Sequence, residues 1–240
     1  MNKAKASAII ERAVSNVAIQ VRDIQRSFAW QDFKEYILWR ELASCIMGSR
    51  IQFELARSAV RHLDKTGLLR MFQIEKRFSI TQNLVIRELR KSIYLPLKLD
   101  GKKRSYTFSS IRAKQLCETA KTIYGNNQTI KSLLTSGEDE YSTRILLVNT
   151  ASGIGPKQAS LFLRNIGYTN NLAILDSHVL RFMDYVKIAK VLPSSIANLS
   201  SYEKMETKLR HYADNMEFEM SCLDTAIWIV MRVYQKEFAI

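Results

Sequence analysis

Residues 153–178 read GIGPKQASLFLRNIGYTNNLAILDSH, and this stretch decides most of what the chain builds. Gly153 and Gly155 bracket Ile154. Glycine reaches backbone angles closed to other residues, so a tight hairpin is expected, with N–H groups facing outward and no Cβ in the way of an approaching phosphate. Pro156 has the fixed φ of a first helical position, and Ala159, Leu161, Phe162 and Ile166 then recur at roughly helical spacing. Lys157 therefore opens a helix. The positive end of the macrodipole disfavours an ammonium there, and partial burial acts in the same direction, which favours a neutral, nucleophilic amine. Downstream, the apolar stretch Leu172 to Leu175 leads into Asp176, which is placed to cap the next helix. The spacing, 176 − 157 = 19, sets an amine and a carboxylate on successive elements. Such a pair suits attack on a sugar carbon, with the carboxylate balancing positive charge. The alternative is a solvated first-turn lysine and a plain N-cap.

Along the whole chain the periodicity is helical almost throughout. Residues 37–47, 53–63, 109–124, 141–149, 157–166, 177–186, 202–214 and 221–236 each place apolar positions three or four apart. Strand signals are sparse, so the fold is expected to be all-α. Breaks are expected at Asp64 to Gly67, Pro96 to Ser105, Gly125 to Asn127, Ser136 to Glu138 and Pro193 to Ser195, where turn chemistry interrupts the pattern. No internal repeat or low-complexity tract is present. With 8 Gly and 3 Pro in 240 residues and 47% hydrophobic content, residues 1–240 are expected to fold as one compact unit with a sizeable core.

Charge points to a polyanionic partner. The chain has 36 Lys and Arg against 23 Asp and Glu, a formal net charge of +13. An anionic membrane would attract it as well, but no apolar run approaches the ~18 residues of a spanning helix. The opening MNKAKASAIIERAV is interrupted by Glu11 and Arg12 and lacks the unbroken apolar stretch of a secretory signal. A cytoplasmic protein is expected, at the nucleoid in a bacterial or archaeal cell. Cys45, Cys117 and Cys222 are far apart among apolar neighbours, and His62, His178 and His211 are equally scattered. That spacing spells no iron–sulfur or zinc site, so buried free thiols and no metal or other cofactor are expected.

The hairpin Gly-apolar-Gly-x-Lys, followed downstream by an Asp and a His, resembles the helix-hairpin-helix DNA glycosylase superfamily. Within it, Phe162 to Tyr168 and Ala173 to Asp176 are most similar to the second class of 8-oxoguanine DNA glycosylase/lyases of archaea and bacteria. The resemblance runs from about Leu42 to Trp228. It implies two helical lobes: a central one at residues 38–176 including the hairpin at 153–157, and a second built from residues 1–37 and 177–240. The DNA and the target base would lie in a cleft between them. It implies a monomer acting on double-stranded DNA that contains a modified base, with Lys157 and Asp176 catalytic and Gly153, Gly155 and His178 on the DNA backbone. For His178 the alternative is a satisfied structural histidine.

The resemblance assigns further positions. Arg50 and Gln52 follow one apolar helix at the place where family members present a polar loop that enters the duplex. An Arg there can offer the orphaned partner base a planar fork of donors; the alternative is an exposed loop arginine. Tyr106 and Phe108 precede the basic helix at Arg112 and Lys114, as an aromatic pair of the family or as core. Arg87, Arg90 and Lys91, then Lys98, Lys102, Lys103 and Arg104, with Tyr94 and Tyr106 beside them, are placed to track a phosphate backbone or simply to form a solvated face. Leu223 to Trp228 resembles the family's apolar helix with an Asp and a Trp, which puts Asp224 and Trp228 in the base pocket. The longer, more apolar stretch from Ile229 to Ile240 predicts a rebuilt pocket wall, and Ser177 stands where that class commonly has Arg.

The reaction implied is removal of a modified base such as 8-oxoguanine by base flipping and a lysine Schiff base, with strand cleavage as a second step. Two other readings stay open. One is a glycosylase for a different damaged or bulky modified base, including one in foreign phage DNA; the other is a non-catalytic helix-hairpin-helix module.

Overall fold

The structure is a computed structural model that describes residues 3–24, 29–192, 196 and 198–238. Among these the chain is all-α, with twelve helices and a single isolated bridge, Tyr94 to Arg104, in place of any sheet. It divides into two compact units, one of residues 29–166 and one of residues 1–28 with 167–240.

The terminal unit begins with α1 (Lys3–Ile24). The central unit then runs through α2 (Glu35–Gly48), α3 (Phe53–Lys65), α4 (Leu68–Arg70, continuing as a π turn over Met71–Glu75), α5 (Phe78–Arg90), α6 (Ser109–Tyr124), α7 (Ile130–Ser136), α8 (Glu140–Thr150) and α9 (Pro156–Asn165). The chain returns to the terminal unit with α10 (Ser177–Tyr185), α11 (Leu199–Asn215) and α12 (Met220–Phe238).

The core of the central unit forms around Trp39, fully buried on α2, whose indole N–H donates to the Leu69 carbonyl at 2.9 Å and whose ring meets Phe72 and Tyr124 edge-on. Local signals start its helices where the sequence places them. Asp139 and Ser142 form a reciprocal cap at the head of α8, the Ser142 N–H donating to Asp139 Oδ1 at 2.7 Å, and Pro156 stands at the first position of α9.

The helical stretches read from periodicity correspond to α2, α3, α6 and α8 to α12. Missing from that reading are α1, α4, α5 and α7. In α1 the apolar residues Ile10, Val14, Val17 and Val21 recur three or four apart, and Ile10, Val14 and Ala18 are buried in the core shared with α12. Helix α7 is seven residues long and owes its start to a cap, Thr129 with Ser132, more than to an apolar stripe. The break expected at Pro193 to Ser195 lies outside the described residues. The units divide after Ile166 and not after Asp176, because buried side chains of α11 and α12 hold the backbone of residues 173–175.

Beyond Trp228 the described residues continue α12 to Phe238, with Met231 fully buried in the core formed with Ile10 and Val14 of α1 and Val233 exposed.

Candidate active site

The hairpin of residues 152–155 joins α8 to α9, and its two glycines differ. Gly153 has φ +81°, and a Cβ added there would stand 2.4 Å from the side-chain amide carbon of Gln115 on α6. The left-handed backbone favours glycine, and an added Cβ would have to displace the end of the Gln115 side chain. Gly155 has φ −103° and ψ 179°, extended backbone open to any residue, and an added Cβ would meet nothing within 4 Å. The expectation that both glycines use angles closed to other residues therefore holds for Gly153 alone; nothing in the chain's own structure requires a glycine at 155. Between them Ile154 is buried, and Ser152 Oγ donates to Glu118 on α6 at 2.7 Å.

Lys157 is the second residue of α9 and is half-buried. Behind it lies α2. Burial pushes the Cys45 thiol of that helix well up, Glu41 pushes in the same direction, and Lys157 opposes them, which places the lysine near the Cys45 thiol. Glu41 is fixed in turn by the Asn165 side-chain amide, which donates to it at 2.7 Å.

In the terminal unit, residues 172–176 form a strap fastened by distant side chains. The Ala173 N–H donates to Glu206 at 2.7 Å, the Ile174 N–H to Asp224 at 2.8 Å, and the Leu175 N–H to the Tyr202 hydroxyl at 3.1 Å. Tyr202 donates back to the Ala173 carbonyl at 2.8 Å. All three fasteners are at most 3% exposed. A backbone N–H bonded to a buried carboxylate is worth roughly 1.5–3 kcal/mol, so the strap is held firmly although it has no regular structure. It delivers Asp176 to the head of α10, where Oδ1 alone accepts the N–H groups of His178 and Val179 at 2.8 and 2.9 Å. One oxygen caps the helix, and among the described residues Oδ2 accepts no hydrogen bond.

The other expected site residues fall as follows. Asp224 is buried beneath the strap, where it positions the Asp176 segment. Trp228 is half-buried, with the His178 ring edge-on to it at 6.4 Å and the Arg232 guanidinium over its face at 4.9 Å. Arg50 and Gln52 are both exposed in the loop between α2 and α3, Arg50 in the left-handed region at φ 59°. Of the basic clusters, Arg87, Arg90, Lys98, Lys102 and Lys103 are exposed. Lys91 is engaged within the chain: its ammonium lies 2.7 Å from both oxygens of Glu88, and with His62 it holds that carboxyl below the usual range. Tyr94 and Tyr106 are core residues and not part of a phosphate-tracking face, their hydroxyls donating to the Glu88 and Met47 carbonyls. Cys45, Cys117 and Cys222 are buried free thiols. Sequence reading missed Tyr202, Glu206, Gln115 and Arg232, whose partners are set by packing and not by spacing.

An all-α chain whose glycine hairpin opens a helix with a lysine, and whose next helix is capped by an aspartate, is a helix-hairpin-helix DNA glycosylase in class. The family described as 8-oxoguanine DNA glycosylase matches residues 77–218, and the chain belongs to it. It is 30% identical over 225 residues to the 8-oxoguanine DNA glycosylase/AP lyase of Sulfolobus acidocaldarius, covering 92% of this chain and 96% of that one. The enzyme of the same name from Sulfurisphaera tokodaii is 27% identical over 227 residues, with the same coverage. Among solved structures, the 8-oxoguanine DNA glycosylase of Methanocaldococcus jannaschii superposes with a TM-score of 0.72 at 21% identity, covering 95% of this chain and 96% of that one. The 8-oxoguanine glycosylase/lyase of that organism in complex with a 15mer DNA containing 8-oxoguanine gives 0.65 at 21% identity, covering 92% and 88%. These superpositions extend the likeness in fold to nearly the whole chain.

Proposed function

We propose that this chain is a bifunctional DNA glycosylase and abasic-site lyase that excises 8-oxoguanine from duplex DNA, with Lys157 as nucleophile and Asp176 as the charge-stabilising carboxylate. The observation that carries the assignment is the place of Lys157, half-buried at the start of α9, two residues after a glycine with open ground beside it. The open ground beside Gly155 leaves room for a phosphate to approach the hairpin and the N–H groups heading α9, which supports this reading.

The target nucleotide leaves the stack at a cost of a few kcal/mol, and Arg50 and Gln52 fill the gap. As the bond from C1′ to the base stretches, positive charge grows on the sugar, and Oδ2 of Asp176 stabilises it while Oδ1 keeps the cap. The Lys157 amine, having given up its ammonium proton, bonds to C1′ while the base departs with the electron pair of the broken bond and takes up a proton; the attached nitrogen then sheds a proton, the ring oxygen gains one, and the C1′–O4′ bond breaks to leave a Schiff base. Loss of the acidified C2′ proton then expels the 3′ phosphate, and water releases the lysine.

Borohydride reduction of the Schiff base tests the nucleophile. The wild-type protein should yield a covalent adduct with an 8-oxoguanine duplex, and Lys157→Gln should yield none. Normal cross-linking by the Gln variant would take the nucleophile away from Lys157.

A further inference from the structure

We propose that Arg112, on α6, is a positioning residue that locks the loop of Arg50 and Gln52 to the glycine hairpin, so that these two loops of the central unit act as one rigid tool on DNA. Arg112 is 6% exposed. One end of its fork, Nη2, donates to the Ser49 carbonyl in the loop; the other, Nη1, donates to Gln115 Oε1 at 2.6 Å. The Gln115 amide lies against Gly153, where an added Cβ would stand 2.4 Å from its carbon. A path of direct contacts thus runs from Ser49 through Arg112 and Gln115 to the hairpin. From the same side the Tyr106 hydroxyl holds the Met47 carbonyl, and the phenol, pushed up to about 12 by burial, stays a neutral donor.

Two features argue that this arrangement serves function more than stability. Arg112 is a buried cation whose acceptors, a carbonyl and an amide, are uncharged; its guanidinium lies over the Phe108 ring at 5.9 Å, and among the described residues its Nε has no acceptor. Burying a charge without an opposite one is unfavourable. In addition, Arg50 sits at φ 59°, a conformation that costs a non-glycine residue roughly 1–2 kcal/mol. Such strain persists only where the surroundings over-determine it, and Arg112 and Tyr106, gripping the carbonyls just ahead of Arg50, supply that constraint.

The inference rests on the proposed role of the Arg50 loop, and the test needs no chemistry at Lys157. The readout is the ratio of affinities for a duplex with a tetrahydrofuran abasic analogue and for the intact duplex, which a general loss of fold or charge would not change. Arg112→Met and Arg50→Ala are each expected to lower this ratio about tenfold, and the double variant no further, because both remove the same positioned contact. Independent losses that multiply to about a hundredfold would overturn the linkage, as would a wild-type ratio in Arg112→Met. Should Arg112→Met fail to fold, Gln115→Ala, at a half-exposed position, takes its place in the cycle with the same expectations. A wild-type protein with no preference for the analogue would sink the glycosylase reading and the linkage together; a clear preference with multiplicative losses would sink the linkage alone.

Discussion

The hairpin that carries Lys157 and the strap that carries Asp176 solve the same problem, holding a reactive side chain on a segment without regular structure, by opposite means. The hairpin is built locally: a left-handed glycine, a buried isoleucine and a proline that starts the next helix lie within four residues. The strap is built at a distance, three successive backbone N–H groups being taken by Glu206, Asp224 and Tyr202, which lie 33, 50 and 27 residues further along the chain from the groups they accept. A local device tolerates damage elsewhere and is fragile at one residue. A distributed device spreads its fragility over two other helices.

If that contrast is right, the largest effect should come where the strap meets chemistry. Asp176→Asn keeps a good helix cap, since Asn ranks with Asp at that position, so the fold should be nearly unchanged. The variant loses the negative charge on Oδ2, and single-turnover excision should fall about 100- to 1000-fold, the scale seen when one transition-state contact is removed. Borohydride trapping on a preformed abasic duplex should fall much less, because there the base has already gone. Full excision by a folded Asn variant would leave Asp176 as a cap and nothing more.

The same contrast explains how much could be read from sequence. The hairpin, the start of α9 and the cap at Asp176 were legible because their causes lie within a few residues: Gly153, Pro156, and the carboxylate two and three positions ahead of the N–H groups it accepts. The strap's fasteners were not, since Tyr202 and Glu206 read as ordinary positions of an amphipathic helix until folding brings residues 173–175 against them. Asp224 was singled out by resemblance, and the structure adds its bond to the Ile174 N–H, which no spacing rule contains.

Within the hairpin, the two glycines offer a smaller and cleaner test. Gly153→Ala must strain a positive φ and push the Gln115 amide aside, so it should cost roughly 1–3 kcal/mol of stability, read as a lowered thermal midpoint. Gly155→Ala has ordinary backbone and open space, so stability should change by no more than about 0.5 kcal/mol, while affinity for duplex DNA drops because the new methyl group stands in the way of the phosphate. Equal stability losses in both variants would contradict the division of labour between them. Unchanged DNA affinity in Gly155→Ala would remove the hairpin from the DNA surface.

The smallest effect should come from the strap's own fastening. In Asp224→Asn the side-chain oxygen can still accept the Ile174 N–H, but the bond loses its charge assistance, a difference of about 1 kcal/mol. Because the strap carries Asp176 and not Lys157, the loss should be selective. Excision of 8-oxoguanine should slow by a few-fold as the carboxylate wanders from its place, whereas lysine trapping on an abasic duplex should stay near the wild-type level. A distributed device predicts this asymmetry, since weakening one of three fasteners loosens the segment without releasing it. If excision and trapping declined in step, Asp224 would be acting on the whole fold, and the strap would be no more than part of the core it lies on.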